Sequence, residues 1–132
     1  MFKSVRIILL LSVVFSLSSC KFQKLLKSSD YEEKYAMAVE FYDQQDYNRA
    51  LQLMDQIVPI FKGTDKSQEL EYMYANSYFL QGDFVLASYY FKRYYKNYPR
   101  SIQAEEALYY AAYCNYMGSP PKAGKLLVRK LL

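Results

Sequence analysis

Apolar and polar positions between Tyr35 and Tyr94 follow a pattern that occurs twice. The stretch YAMAVEFYDQQDYNRALQLMDQI (Tyr35 to Ile57) lies over YMYANSYFLQGDFVLASYYFKRY (Tyr72 to Tyr94) at an offset of 37 residues. In that register Ala38 falls on Ala75, Phe41 on Tyr78, Tyr47 on Phe84, Ala50 on Ala87 and Met54 on Phe91. A third copy begins in AEEALYYAAYCNYMG, which sets Ala111 and Gly118 each 36 residues after Ala75 and Gly82. Such a period signals stacked units, each burying its apolar face only against its neighbours. The spacing predicts helices over 30–45, 48–61, 67–81, 84–97 and 102–117. Ser29 with Glu32, and Asp65 with Gln68, have capping-box spacing, and Ser101 is placed to cap the last helix.

The segment YYFKRYYKNYP (Tyr89 to Pro99) interleaves aromatic and basic residues, as a surface for single-stranded nucleic acid would. Helical projection separates the two sets. Phe84, Ala87, Ser88, Tyr94, Tyr95 and Tyr98 cluster around Phe91 as a core stripe. Lys92, Arg93, Lys96 and Arg100 fall on the far side, with Tyr89 beside them. A packed helix with a solvated basic edge is therefore expected. The charge balance agrees: residues 20–118 hold 11 basic and 13 acidic side chains, so the excess of positive charge lies at the two ends.

Composition narrows the chemistry further. Of 132 residues, 52% are hydrophobic and only four are Gly and four Pro, which suits one helical domain. There are 16 Tyr, no Trp and no His. The lack of histidine removes His-dependent triads, His zinc sites and His acid–base catalysis. No phosphate-binding glycine loop, metal cluster or nucleophile–base pair is visible, so neither enzyme activity nor a cofactor nor a metal is expected. Glu105 and Glu106 fit a first helical turn, where carboxylates complement the helix dipole. Cys114 falls on a packing face, as a small core side chain.

The first twenty residues, MFKSVRIILLLSVVFSLSSC, have basic Lys3 and Arg6 and then an apolar run from Ile7 to Leu17. That run is too short to span a bilayer and has the layout of a secretory signal. Leu17-Ser18-Ser19-Cys20 resembles the lipobox of bacterial lipoproteins, which implies cleavage before Cys20 and lipidation of its sulfur. The expected organisation is a signal peptide over 1–19, lipidated Cys20 with a tether over 20–29, repeats over 30–118, and an atypical basic tail over 119–132. In that tail Pro120 and Pro121 stand where the repeat would have an aromatic; a short amphipathic helix over 122–131 is compatible with it, although Gly124 weakens it.

The repeated unit itself resembles the tetratricopeptide repeat. The strongest match is QGDFVLASYYFKRYYKNYP: Gly82 at the turn, then Phe84, Ala87 and Phe91, with Pro99 closing the unit. The first copy departs from it, with Gln45 where Gly would turn the chain and Lys62 where Pro would end the repeat. The implied fold is all-α, a tetratricopeptide-repeat α-solenoid of antiparallel helix pairs, with two full repeats and part of a third. In such repeats the first helix of each pair lines the concave face. That places Tyr35, Tyr42, Tyr72, Asn76, Phe79, Tyr109 and Tyr116 in an aromatic, partly polar groove suited to an extended peptide.

A lipobox, a tether and aromatic-rich repeats in this order resemble the BamD family, particularly its Bacteroidetes members. These are tetratricopeptide lipoproteins of the outer-membrane β-barrel assembly machinery. The resemblance runs from Leu17 to about Gly118 and implies a non-enzymatic protein, anchored by lipid to the periplasmic face of the outer membrane. It implies two partners, a BamA-like barrel-assembly protein and unfolded outer-membrane proteins with aromatic C-terminal signals. Neither nucleic acid nor a small-molecule substrate is expected. Family members carry about five repeats, so this chain reads as a shortened form. The alternative is a general periplasmic tetratricopeptide scaffold lipoprotein that coordinates envelope processes. A cell-wall hydrolase would need catalytic groups that the sequence does not offer.

Overall fold

The computed structural model describes residues 21–119. Residues 1–20 and 120–132 lie outside them, and with them the expected signal peptide, the expected lipidation site at Cys20 and the expected tail helix. The described residues form an all-helical chain. After a helical segment over 21–27 come α1 (Tyr31–Asp43), α2 (Tyr47–Ile57), α3 (Ser67–Leu80), α4 (Phe84–Asn97) and α5 (Ala104–Gly118). Each helix packs on the next in sequence, α1 on α2 through to α4 on α5, the arrangement of an α-solenoid.

The small residues that define the repeat explain the close packing. Ala38, Ala50, Ala75, Ala87 and Ala111 are all fully buried or nearly so, and large side chains fill the space between them. One core gathers Phe41, Leu53, Met54, Ile57, Leu70 and Tyr74; a second gathers Phe91, Tyr94, Ala107, Ala111 and Cys114. Tyr78 and Tyr90 pack against both cores and make them continuous. Burying each Leu, Ile, Met or Phe among these contributes roughly 1.5–3 kcal/mol.

The two turns within the repeats are superposable in their bonding. Gln45 and Asp46 amides donate to the Tyr42 and Phe41 carbonyls at 2.9 and 2.8 Å. Gly82 and Asp83 do the same to Phe79 and Tyr78, both at 3.0 Å. The turn demands a left-handed residue, and Gln45 adopts it at φ 62° where Gly82 has φ 80°. Gly118, aligned with Gly82 by sequence, ends α5 without a left-handed φ.

The helix starts differ from the capping expectations. Asp30, not Ser29, caps α1, its Oδ1 accepting from the Glu33 amide at 2.9 Å. Asp46 and Asp83 cap α2 and α4 in the same way, each at 3.1 Å. Asp65 caps nothing: α3 begins after Lys66 without a side-chain cap. Ser101 caps nothing either, because α5 begins after Gln103, and the buried Ser101 Oγ has no partner among the described residues. The second helix ends at Ile57 rather than residue 61, since Pro59 cannot supply an amide to continue it.

Residues 21–27, expected as a tether, are helical and docked. Leu25 is buried in the first core, and Phe22 meets Phe41 edge-on with ring centres 5.5 Å apart. The Lys34 ammonium fixes the end of this segment by donating to the Leu26 carbonyl at 3.2 Å and to Gln56 Oε1 at 2.5 Å.

Candidate binding surface

The seven residues expected in the groove fall into two groups. Tyr35, Tyr42, Tyr72, Asn76 and Phe79 are half-buried, and each touches the neighbouring repeat. Tyr109 and Tyr116 are 63% and 61% exposed on α5. The difference is positional: α1 and α3 each have a following first helix laid against them, whereas nothing among the described residues follows α5.

The contacts between first helices form a regular ladder. Tyr35 donates its hydroxyl to Glu69 Oε2 at 3.0 Å, and Asn76 donates to the Tyr42 hydroxyl at 2.6 Å, both pairs 34 residues apart. Lys66 pairs with Glu32 at the same separation and lies 4.8 Å from the Tyr35 ring centre. One repeat later the Glu106 carboxylate sits beside the Tyr72 hydroxyl. Phe79 meets Tyr113 edge-on at 6.1 Å and Tyr110 at 4.9 Å. Burial and the Glu69 carboxylate together raise the Tyr35 hydroxyl to about 12. Burial, followed by the nearby Glu106 carboxylate, pushes Tyr72 up, and burial pushes Tyr42 up. The Tyr35 and Tyr42 hydroxyls are therefore already engaged, so the peptide-backbone pairing expected of them would have to displace bonds between repeats. Asn115 of α5 points to α4 instead, where it accepts from the Ser88 hydroxyl at 2.7 Å.

The segment Tyr89 to Pro99 is the C-terminal part of α4 and the turn after it. Phe91 and Tyr94 are fully buried, and Ala87 and Ser88 accompany them. Phe84 and Tyr98 are half-buried, whereas Tyr95, placed in the core stripe, is 38% exposed. Lys92, Lys96 and Arg100 face solvent. Arg93 does not: it stacks 4.7 Å from the Tyr90 ring centre and reaches Glu71 Oε2 at 3.5 Å.

That last pair belongs to a site that sequence reasoning missed. A crevice of about 330 Å³ opens between α2, α3 and α4, walled by Asp55, Lys62, Glu71, Tyr74, Tyr90 and Arg93. Glu71, 5% exposed, accepts from Asn97 Nδ2 at 3.1 Å and from the Tyr98 hydroxyl at 3.2 Å. Tyr74 donates to Asp55 Oδ1, with the Tyr78 and Tyr90 hydroxyls at 3.3 and 3.5 Å. Burial, then those bonds, pushes Tyr74 far above the usual phenol range. The signal was available: Glu71 lies 37 residues after Lys34. Both occupy the position where the first helix turns inward to the second helix of its pair.

Cys114 is a fully buried free thiol, and burial raises its pKa, which suits a packing role. Comparison with protein-family models and with curated proteins finds no match to this chain.

Proposed function

We propose that the chain is a non-enzymatic protein-binding lipoprotein of outer-membrane β-barrel assembly, similar to BamD. It is anchored at the periplasmic face of the outer membrane through lipid on Cys20, and its helical repeats hold unfolded barrel proteins and a BamA-like partner. The observation that carries this reading is the tyrosine-rich surface on consecutively packed helix pairs, which offers aromatic rings to a peptide. Tyr109 and Tyr116 are its accessible residues, and Tyr72 and Phe79 are flanking walls. The leader motif and repeat order support the assignment to the envelope.

Two measurements test it separately. Labelled palmitate should enter the chain and be lost in Cys20→Ser. Fluorescent peptides ending in an aromatic residue should bind the purified mature chain more tightly than scrambled ones, and Tyr109→Ala with Tyr116→Ala should weaken them. Equal binding of both peptides would sink the client-binding reading. Recovery of division proteins and no BamA-like protein in co-purification would favour the general scaffold instead.

A further inference from the structure

The crevice between α2, α3 and α4 is more polar than the repeat requires. Its Glu71 corresponds to Lys34 in the first repeat and, at the 36-residue spacing that carries Ala75 onto Ala111, to Ala107 in the third. All three are buried, so the fold accepts alanine at this position and needs no charge there. In the first repeat the charge serves the chain itself: Lys34 donates to the Leu26 carbonyl and to Gln56, the counterpart of Arg93. In the second repeat the matching pair, Glu71 and Arg93, stands in the wall of an open crevice of about 330 Å³. The crevice is walled by residues from Asp55 to Asn97, in the middle of the described chain, with α1 packed on α2 and α5 on α4 to either side.

The groups already engaged decide the sign of a ligand. Glu71 accepts from Asn97 and Tyr98, and Asp55 accepts from Tyr74. The Tyr90 ring carries the Arg93 guanidinium and stacks on Tyr78, and Tyr74 is buried against both rings. An added cation would find its aromatic partners taken. The basic groups are less engaged. Among the described residues Lys62 forms no ion pair, and Arg93 forms one, through Nε, with a carboxylate that two other donors already hold. We infer that the crevice binds a carboxylate, with Arg93 and Lys62 as its cations and Val58 and Pro59 as the apolar wall beside it. A guanidinium matches the two oxygens of a carboxylate, and Asp55 at the rim disfavours a doubly charged anion such as phosphate. The volume lies at the low end of ligand sites, roughly 300–1,000 Å³, and suits one acidic side chain or a peptide terminus. Residues 1–20 and 120–132 contain no Asp or Glu, so an acidic side chain in the crevice belongs to another molecule. The site shares no residue with the surface of Tyr109 and Tyr116 and does not depend on the barrel-assembly reading.

The probe is glutamate blocked at both ends, as the N-acetyl N-methylamide, titrated into the isotope-labelled full mature chain and followed by NMR. Saturable shifts are expected at the Asn97 side-chain amide and the Arg93 Nε–H, and blocked glutamine should produce none. Arg93→Gln should weaken binding about tenfold, the loss of a hydrogen bond to a charged group. Lys62→Gln, at an exposed position that leaves the fold alone, should weaken it about threefold. Lys92→Gln, an exposed lysine of α4 outside the crevice, should leave it unchanged. N-acetylphenylalanine, whose one carboxylate is terminal, separates the two sources: tighter binding than blocked glutamate assigns the site to a peptide terminus, weaker binding to an acidic side chain, and both orders support a carboxylate. Four results overturn the inference: absent binding, equal binding of blocked glutamine, inorganic phosphate or blocked lysine bound at least as tightly, or shifts indifferent to both Arg93→Gln and Lys62→Gln.

Discussion

Gln45 holds a left-handed backbone conformation, φ 62°, at a turn whose counterpart has glycine at φ 80°. A side chain in that region costs roughly 1–2 kcal/mol, against which glycine loses some entropy on folding. Gln45→Gly should therefore stabilise the chain by about 0.5–1 kcal/mol in urea denaturation. Gln45→Val should destabilise it, because a branched side chain tolerates the turn worst; equal midpoints for all three would remove the strain. The buried charges at the inward position make a second residue-scale case. Lys34 and Glu71 are 3% and 5% exposed, and each ties a neighbouring segment down. Glu71→Ala leaves Asn97 and Arg93 without their acceptor, and Tyr98 with Ser67 alone, and should cost about 1–3 kcal/mol. Glu71→Gln keeps an oxygen for two of them and should cost clearly less by the same measurement.

At the scale of elements, the helices were legible because apolar spacing reports on side-chain burial, and burial is what most stabilises them. Their ends were less so. Serine was taken as the capping residue near two helix starts, while aspartates at 30, 46 and 83 do the capping. The turn explains this choice: it delivers the residue after the left-handed position to the start of the next helix, and that residue is Asp46 or Asp83. The segment over 21–27 was missed for another reason. Its Phe22, Leu25 and Leu26 have helical spacing, but a run of seven residues is too short to be helical by itself, and only docking on Phe41 makes it so. Leu25→Ala should accordingly cost roughly 2–3 kcal/mol and release the segment to proteolysis, while the helices from α3 onward keep their hydrogen-exchange protection. Uniform loss of protection would mean the segment is integral to the whole solenoid. The expected groove was legible as a set of residues on first helices. What one-dimensional spacing could not show was that side chains of each first helix reach the previous one, so that the shared face is half-buried on α1 and α3.

At the scale of the molecule, tyrosine is the material of every interface, and this makes the fold sensitive to alkali. Tyr35 is raised from 10.0 to about 12, and Tyr42, Tyr72, Tyr74, Tyr78 and Tyr98 are raised too, burial being the largest cause in each. A phenol whose pKa is higher folded than unfolded stabilises the fold fully below the unfolded value. That contribution is lost as pH climbs through the folded value. The stability conferred by these groups is thus constant up to about pH 10 and falls steadily above it. Helicity followed by circular dichroism should collapse between roughly pH 10 and 12, together with a cooperative rise in phenolate absorbance. Tyr35→Phe with Tyr72→Phe should behave differently on the two sides of it. The double variant loses hydroxyl bonds to Glu69 and a partner in Glu106, and so is less stable at neutral pH. It also loses two groups that must ionise, and so its stability declines less steeply above pH 10. A gradual phenolate titration centred near 10, with helicity intact beyond it, would show that the tyrosine web is not what holds the repeats together.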